Sequence, residues 1–294
     1  MKILITGCNG QLGSELKTIL TTGNSVLAPI PGVLKNSILD CIDVDELDIT
    51  NESTVLNYIK ESNPKIIINC AAYTNVDACE SNRDDAFRVN ALGARNLAIA
   101  AEKINAKLIH ISTDYVFAGD GTKPYGEFDM VNPQSVYGAT KRMGEQYVID
   151  FCSKYFIVRT SWLYGYVGKN FVKTIIKAGR ERAELKVVND QRGNPTNAAD
   201  LAHHILKIAT TEEYGIYHCT GNGECSWFDF ASKIVEYAKI NTIVTPCKSE
   251  DYPSPTKRPT YSSLDNMMLR CTVGDEMRDW EVALKCFFEN YDGN

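Results

Sequence analysis

Met1-Lys2-Ile3-Leu4-Ile5-Thr6-Gly7-Cys8-Asn9-Gly10-Gln11-Leu12-Gly13 decides the fold. Ile3-Leu4-Ile5 reads as a short buried strand, and Leu12, Leu16, Ile19 and Leu20 follow at helical spacing. Between them lies a turn with three glycines. Gly7 would permit a tight bend, Gly10 would let a pyrophosphate approach the backbone, and Gly13 would let helix and strand pack closely. The helix start adds amide donors and partial positive charge. The spacing is G-x-x-G-x-x-G rather than the G-x-G-x-x-G of the general dinucleotide fingerprint.

The pattern continues outward. Ser25 to Ala28 reads as a second strand, ended by Pro29 and Pro31. Thr54 to Ile59 reads as a helix stopped by Pro64. Lys65-Ile66-Ile67-Ile68-Asn69 has the unbroken apolar character of a strand inside a parallel sheet. Asp84 to Ile104 reads as a long helix, and Ala106 to Ile111 and Phe156-Ile157-Val158 as strands. This alternation predicts an α/β fold with a doubly wound, Rossmann-like parallel sheet. Past Trp162 the rhythm loosens, and prolines gather in Gly193 to Thr196 and in Tyr252 to Pro259. The expected organisation is a dinucleotide-binding domain over 1–161, with a segment near 196–218 returning to it. A smaller C-terminal substrate-binding lobe would comprise 162–195 and 219–294.

Composition narrows the function classes. The chain has 294 residues, enough to bury a sizeable core, and its net charge of -6 argues against nucleic acid as a partner. No apolar run approaches a membrane span, and the glycine turn comes too early for a signal peptide. The 10 cysteines form no C-x-x-C pair, and the histidines do not alternate with them at zinc spacing, so reduced thiols and a cytoplasmic protein are expected. No metal site is read from the residues themselves.

The chemistry sits in Tyr137-Gly138-Ala139-Thr140-Lys141. A tyrosine and a lysine four apart share one helix face. Asn132 is the expected cap of that helix, with Pro133 at its first position. Lys141 would lower the Tyr137 phenol pKa by roughly one to three units and make it a proton donor to a carbonyl. Thr113, at a strand end, could hydrogen-bond that carbonyl oxygen. Asn69-Cys70-Ala71-Ala72 would let a cofactor lie against the backbone, a reading that stands beside simple close packing. Asp48, in Leu47-Asp48-Ile49-Thr50, could sit near an adenine or merely cap a turn. The expected second strand ends in Ala28-Pro29-Ile30-Pro31 without a carboxylate, so neither NADH nor NADPH is favoured and weak discrimination follows.

These segments resemble the extended short-chain dehydrogenase/reductases, and within them the dTDP-4-dehydrorhamnose reductase branch. The resemblance rests on Gly7 to Gly13, Ser112-Thr113-Asp114-Tyr115-Val116-Phe117 and Tyr137 to Lys141. It extends through Asn75 to Glu80, Arg159-Thr160-Ser161-Trp162-Leu163-Tyr164, Asn189 to Thr196 and Tyr252 to Pro259. It implies reduction of the C4 ketone of dTDP-4-dehydro-L-rhamnose, a sugar-nucleotide substrate, with NADPH or NADH as cofactor. It implies Tyr137 as proton donor, Lys141 as its partner and Thr113 as the third catalytic group. Thr113, Asp114 and Trp162 would touch the sugar. Gly7, Gly10, Gln11, Leu12, Gly13, Asp48, Ile49, Cys70, Ala71 and Ala72, with Tyr137 and Lys141, would line the cofactor. Some members dimerise around a magnesium ion held by carboxylates. Glu15 stands at one such position but Ala199 replaces a glutamate, so the resemblance leaves magnesium doubtful and a homodimer open. The alternatives are another sugar-nucleotide reductase, a dehydratase or epimerase, or a catalytically silent regulatory subunit. The dehydratase would want a second carboxylate after Asp114, where Tyr115 stands.

Overall fold

Strand β1 (Lys2–Thr6) runs through the middle of a six-stranded sheet in a computed structural model that describes residues 1–252 and 254–291. Pro253, within the proline-rich segment noted above, and the last three residues of the expected second lobe lie outside the described residues. The other strands are β2 (Ile38–Ile42), β3 (Ile66–Asn69), β4 (Lys107–Thr113), β5 (Tyr155–Thr160) and a sixth, Gly215–His218. Across the sheet the order is Gly215–His218, β5, β4, β3, β1, β2, and every neighbouring pair is parallel. The order reverses between β1 and β3, so their carboxyl ends open the crevice in which such sheets bind ligands.

The second strand is not where the sequence places it. Asn24 to Pro29 form a bridged turn in which Ser25 Oγ donates to Ala28 O and accepts from Leu27 N and Ala28 N. Ile38–Ile42 pairs with β1 instead, from Lys2 opposite Ile38 to Thr6 opposite Ile42. This edge strand carries Asp40, which accepts from Tyr58 and Ser62 of α2 (Glu52–Ser62). Those tertiary partners let a charged residue stand within the strand.

Helices cover both faces. On one side α1 (Gln11–Thr22) packs Leu12, Leu16 and Ile19 against Leu201, Ile205 and Leu206 of α8 (Ala198–Ala209). On the other side lies a core containing Val55 and Ile59 of α2, Leu97 and Ala98 of α5 (Ala94–Lys103) and Val148 of α6 (Val136–Phe151). Between α2 and α5 the chain forms α3 (Val76–Ser81) and α4 (Arg83–Phe87). The long helix expected near 84–104 contains a π-helical turn over Arg88–Gly93 that joins α4 to α5. Helix α6 starts later than expected. Ser135, rather than Asn132, caps it by accepting from Gly138 N at 3.1 Å.

A separate apolar cluster joins α7 (Phe171–Glu181), α9 (Trp227–Tyr237) and, beyond the short α10 (Met267–Cys271), α11 (Trp280–Glu289). A parallel pair of strands, Glu184–Val188 and Ile243–Cys247, packs beside them. All ten cysteines are free thiols. Among the described residues no helix is long and apolar enough to cross a membrane.

Helix α6 lies so close to the π turn that a Cβ on Gly144 would sit 2.3 Å from Asn90 O. Gly144→Ala should therefore force the two helices apart and cost about 1–3 kcal/mol. A thermal scan checks this: the variant melts several degrees lower, and wild-type melting would refute the close-packing account.

Candidate active site

The carboxyl ends of β1, β3, β4 and β5 border one cleft of about 860 Å³. Every candidate catalytic, cofactor-binding and substrate-binding residue singled out in the sequence lies on its wall. At one end, Gly7 has φ +66° and passes so near β3 that an added Cβ would be 2.7 Å from Ala71 N. A Cβ on Gly13 would be 2.4 Å from Gly7 O. Gly10 meets nothing closer than 3.2 Å, so its bare backbone serves the open side of the turn rather than its packing.

The start of α1 differs from those of α2, α6 and α7. Asn51, Ser135 and Asn170 cap the latter three with side-chain oxygens, whereas Gly10 caps α1 and offers none. The first amides of α1 thus remain available to an anion. Ser112 Oγ and Thr160 Oγ1, buried on the same wall, lack partners among the described residues. A glycine cradle, uncapped helix amides and orphaned hydroxyls together fit a dinucleotide lying across the strand ends.

The relocated β2 brings a residue that the sequence reading missed. Asp43 follows Ile42 directly and lines the cleft. Its Oδ2 accepts from Asn9 N at 3.0 Å and its Oδ1 from Val44 N at 2.8 Å. The second strand therefore ends in a carboxylate after all, and the premise for weak cofactor discrimination falls. Asp48 lines the same end and also closes a turn, accepting from Thr50 N at 2.9 Å. Ile49 is buried beside Gly93, and its carbonyl accepts from Asn96 Nδ2 at 2.9 Å. The π turn places Asn90 so that it accepts from Tyr73 N at 2.8 Å and donates to Thr140 Oγ1 at 3.1 Å. This ties the cleft-lining loop at Tyr73 to α6.

At the centre, Thr113 Oγ1 donates to Asp114 Oδ1 at 2.9 Å and accepts from Tyr115 N at 3.3 Å. Burial raises Asp114 to a pKa of about 6, against hydrogen bonds from Ser262 and Thr113 that pull it down. Tyr137 reaches the cleft from the first turn of α6, edge-on to Tyr115 with ring centroids 5.5 Å apart. Burial pushes its phenol pKa up; Thr113 opposes this, while Asp114 reinforces it. The expected lowering by Lys141 is not found: desolvation dominates, and the group that opposes it is Thr113. Lys141 itself is 2% exposed, and its Nζ donates to Ile111 O at 2.6 Å. Burial lowers its pKa to about 8, with Glu145 opposing.

Trp162 also stands on the wall, in a left-handed conformation at φ +47°. Its ring stacks on Trp227, another residue the sequence reading missed, with centroids 3.5 Å apart and planes within 6°. A Cβ on Gly193 would lie 2.7 Å from the Trp162 ring. Ser161 Oγ donates to Asn194 O at 2.7 Å. These contacts fix an otherwise unfavourable backbone. Glu15 and Ala199, weighed above for magnesium, are not on this cleft. Among the described residues no three metal-ligating side chains converge.

Lys141 makes a stability prediction. Between pH 8 and 10.5 the unfolded chain holds a proton that the folded chain has lost, so stability from this group rises with pH across that window. Below pH 8 the full cost of burying the charge is present. Lys141→Met should accordingly stabilise the fold at pH 7 by about 1–3 kcal/mol, with the gain shrinking as pH climbs past 8. Denaturant melts at pH 7 and pH 10 read both effects; a variant less stable at pH 7 would contradict this account.

The RmlD substrate binding domain model matches residues 1–292. The chain is 39% identical to a dTDP-4-dehydrorhamnose reductase of Aggregatibacter actinomycetemcomitans, covering 97% of each chain. A crystal structure of a dTDP-4-dehydrorhamnose reductase from Clostridium acetobutylicum superposes with a TM-score of 0.92 at 49% identity, covering 98% of this chain and 99% of that one. The Bacillus anthracis enzyme of the same name, solved in complex with NADP, gives 0.91 at 46% identity, with 98% of each chain covered. With the glycine turn, the strand-end threonine and the tyrosine-lysine helix gathered in one cleft, and a match running almost end to end, this chain belongs to the RmlD substrate binding domain family.

Proposed function

We propose that the protein reduces the C4 ketone of dTDP-4-dehydro-L-rhamnose to dTDP-L-rhamnose, using NADPH or NADH. The observation that carries this reading is the meeting of Thr113, Tyr137 and Lys141 in the cleft that begins at the uncapped α1. The names of the relatives agree with it.

A bound dihydronicotinamide supplies the hydride. Gly10, Gln11 and Leu12 hold the pyrophosphate at the start of α1, while Cys70, Ala71 and Ala72 give the dinucleotide a flat backbone to lie on. Asp43 and Asp48 take the adenosine end. Tyr137 gives its proton to the C4 oxygen. Its raised pKa means that it arrives protonated, and the Lys141 ammonium stabilises the phenolate left behind. Thr113 has one proton, held by Asp114 at 2.9 Å. Turning that proton to the C4 oxygen makes Thr113 a second donor.

The sugar lies between Tyr137 and Trp162, and the nucleotide extends toward the second lobe, 162–195 with 219–294. A further cavity of about 260 Å³ adjoins the cleft, and Tyr115 and Arg258 line both. Lys257 and Arg258 on its wall suit a diphosphate. Arg258 is set in place by Asp77, 3.0 Å away. Remote binding of this kind holds the ketone against the reacting groups.

The experiment is incubation with NADPH and either dTDP-4-dehydro-L-rhamnose or the free 4-keto-6-deoxy sugar, following absorbance and identifying the product. Turnover of the nucleotide-linked sugar alone supports the reading. Equal kcat/KM for the two would leave only a general carbonyl reductase.

Tyr137→Phe should lower kcat by ~10²-fold or more, because the ring remains while the donated proton is lost. Its dissociation constant for NADPH should be unchanged. Activity within a factor of three of wild type would remove Tyr137 from the mechanism.

Asp43→Asn should shift cofactor choice. It removes a charge that repels a 2′-phosphate and weakens an acceptor for the ribose diol, so the NADPH:NADH ratio of kcat/KM should rise about tenfold. An unchanged ratio would place the discriminating group elsewhere.

A further inference from the structure

The loop between Leu163–Tyr164 and α7 runs over the start of α1. Asn170 fixes it there: its Nδ2 donates to Gln11 Oε1 at 2.9 Å and to Gly165 O at 2.8 Å, while its Oδ1 accepts from Lys173 N at 3.0 Å and caps α7. On the other side of Lys169, Gly168 lies so near that an added Cβ would be 3.5 Å from Gln11 Cγ. Lys169 is thus bracketed by two residues that both rest on Gln11, the first residue of the uncapped helix. It is exposed, and it lines the cleft together with Gly10, Gln11 and Leu12.

Three cations line this cleft: Lys141, Lys169 and Arg258. Lys141 is buried against Ile111 O, and Arg258 is paired with Asp77. The lysine ion pairs among the described residues involve Lys207, Lys233 and Lys248, leaving Lys169 without an acidic partner. The cleft's carboxylates, Asp43, Asp48 and Asp114, lie on other segments. An unpaired ammonium therefore belongs to a loop anchored on Gln11 and lines the same cleft as the free helix amides.

We propose that Lys169 is a dinucleotide-binding residue, reaching across the cleft from the loop over Gln11 to the cofactor's pyrophosphate and closing that anion between its ammonium and the α1 amides. The inference rests on the proposed use of NADPH or NADH. It adds a contact from the second lobe to a cradle otherwise built from the first. The pyrophosphate is common to both cofactors, so Lys169 strengthens each equally and leaves discrimination to the adenosine end. Charge-assisted contacts of this kind are strong but screened by salt.

The test is titration of NADH and NADPH by nicotinamide fluorescence, with no substrate present, for wild type, Lys169→Ala, Lys169→Gln, Lys169→Arg and Gly10→Val. Thermal melts confirm that each variant is folded. Lys169→Ala and Lys169→Gln should weaken both dinucleotides by about tenfold. Their binding should depend less on salt, and Lys169→Arg should retain most of the affinity. Three results would overturn the inference: dissociation constants within about twofold of wild type, a loss confined to NADPH, or a loss of dTDP affinity with dinucleotide binding intact. The second would put Lys169 on a 2′-phosphate and the third on the substrate diphosphate. Failure of the wider reading looks different: wild type would bind neither dinucleotide, or Gly10→Val would bind them as well as wild type.

Discussion

The site depends on how closely α6 is pressed into the sheet. Its lysine must reach the end of β4, and its tyrosine must stand over the cleft. A Cβ on Gly138 would lie 2.1 Å from Tyr115 O, and one on Gly144 would lie 2.3 Å from Asn90 O. Those two glycines let a helix carrying large polar side chains approach neighbouring backbone. One turn beyond Lys141, Glu145 is fully buried and accepts from Arg159 Nε at 2.8 Å and Nη2 at 2.9 Å. This bidentate pair joins α6 to β5 inside the protein. A buried ion pair of this kind is weak evidence for net stability, but losing one partner would leave the other charge uncompensated. Its value here is register: the pair fixes α6 along β5 and so fixes where Tyr137 and Lys141 emerge.

Much of this was legible in the sequence because the constraints are local. A glycine turn after a strand needs its glycines at fixed offsets. A tyrosine and lysine on one helix face need a spacing of four. What escaped was set by contacts distant in sequence. Strand β2 is a half-exposed edge whose Asp40 is satisfied by Tyr58 and Ser62 from another element. Read without those partners, Ile38–Ile42 loses to an apolar stretch upstream. That error hid Asp43, since a strand's last residue cannot be found when the strand is misplaced. Trp227 escaped for a similar reason: its neighbour Trp162 lies 65 positions earlier in the chain. The pKa of Tyr137 could not be read from spacing, because the degree of burial decides it.

The family's sequence segments become physical partners in the fold. Asp77, in the segment from Asn75 to Glu80, holds Arg258 at 3.0 Å and accepts from Ser254 Oγ at 3.1 Å. Ser161 donates to Asn194, while Gly193 leaves room for the Trp162 ring. Two stretches separated along the chain thus specify one contact, which explains why each is recognisable only as a whole. Replacing Ser161 would leave the buried Asn194 carbonyl without its 2.7 Å donor, and a side chain on Gly193 would meet the Trp162 ring, so these two segments constrain each other.

Charge placement completes the logic. The proposed ligands, a sugar nucleotide and a dinucleotide, are both anionic, while the protein's net charge is -6, so surface attraction would not gather them. The cleft answers with separate devices along its length. Uncapped amides of α1 face one end, Lys141 sits at the centre, and Arg258 marks the far wall. Each differs in cost. The amides are neutral and expensive only if left dry, Arg258 is offset by Asp77, and Lys141 carries the full penalty of burial. The largest burial cost therefore falls on Lys141, one helical turn from the proposed proton donor Tyr137, where a cation in a low-dielectric wall would act most strongly on a developing phenolate.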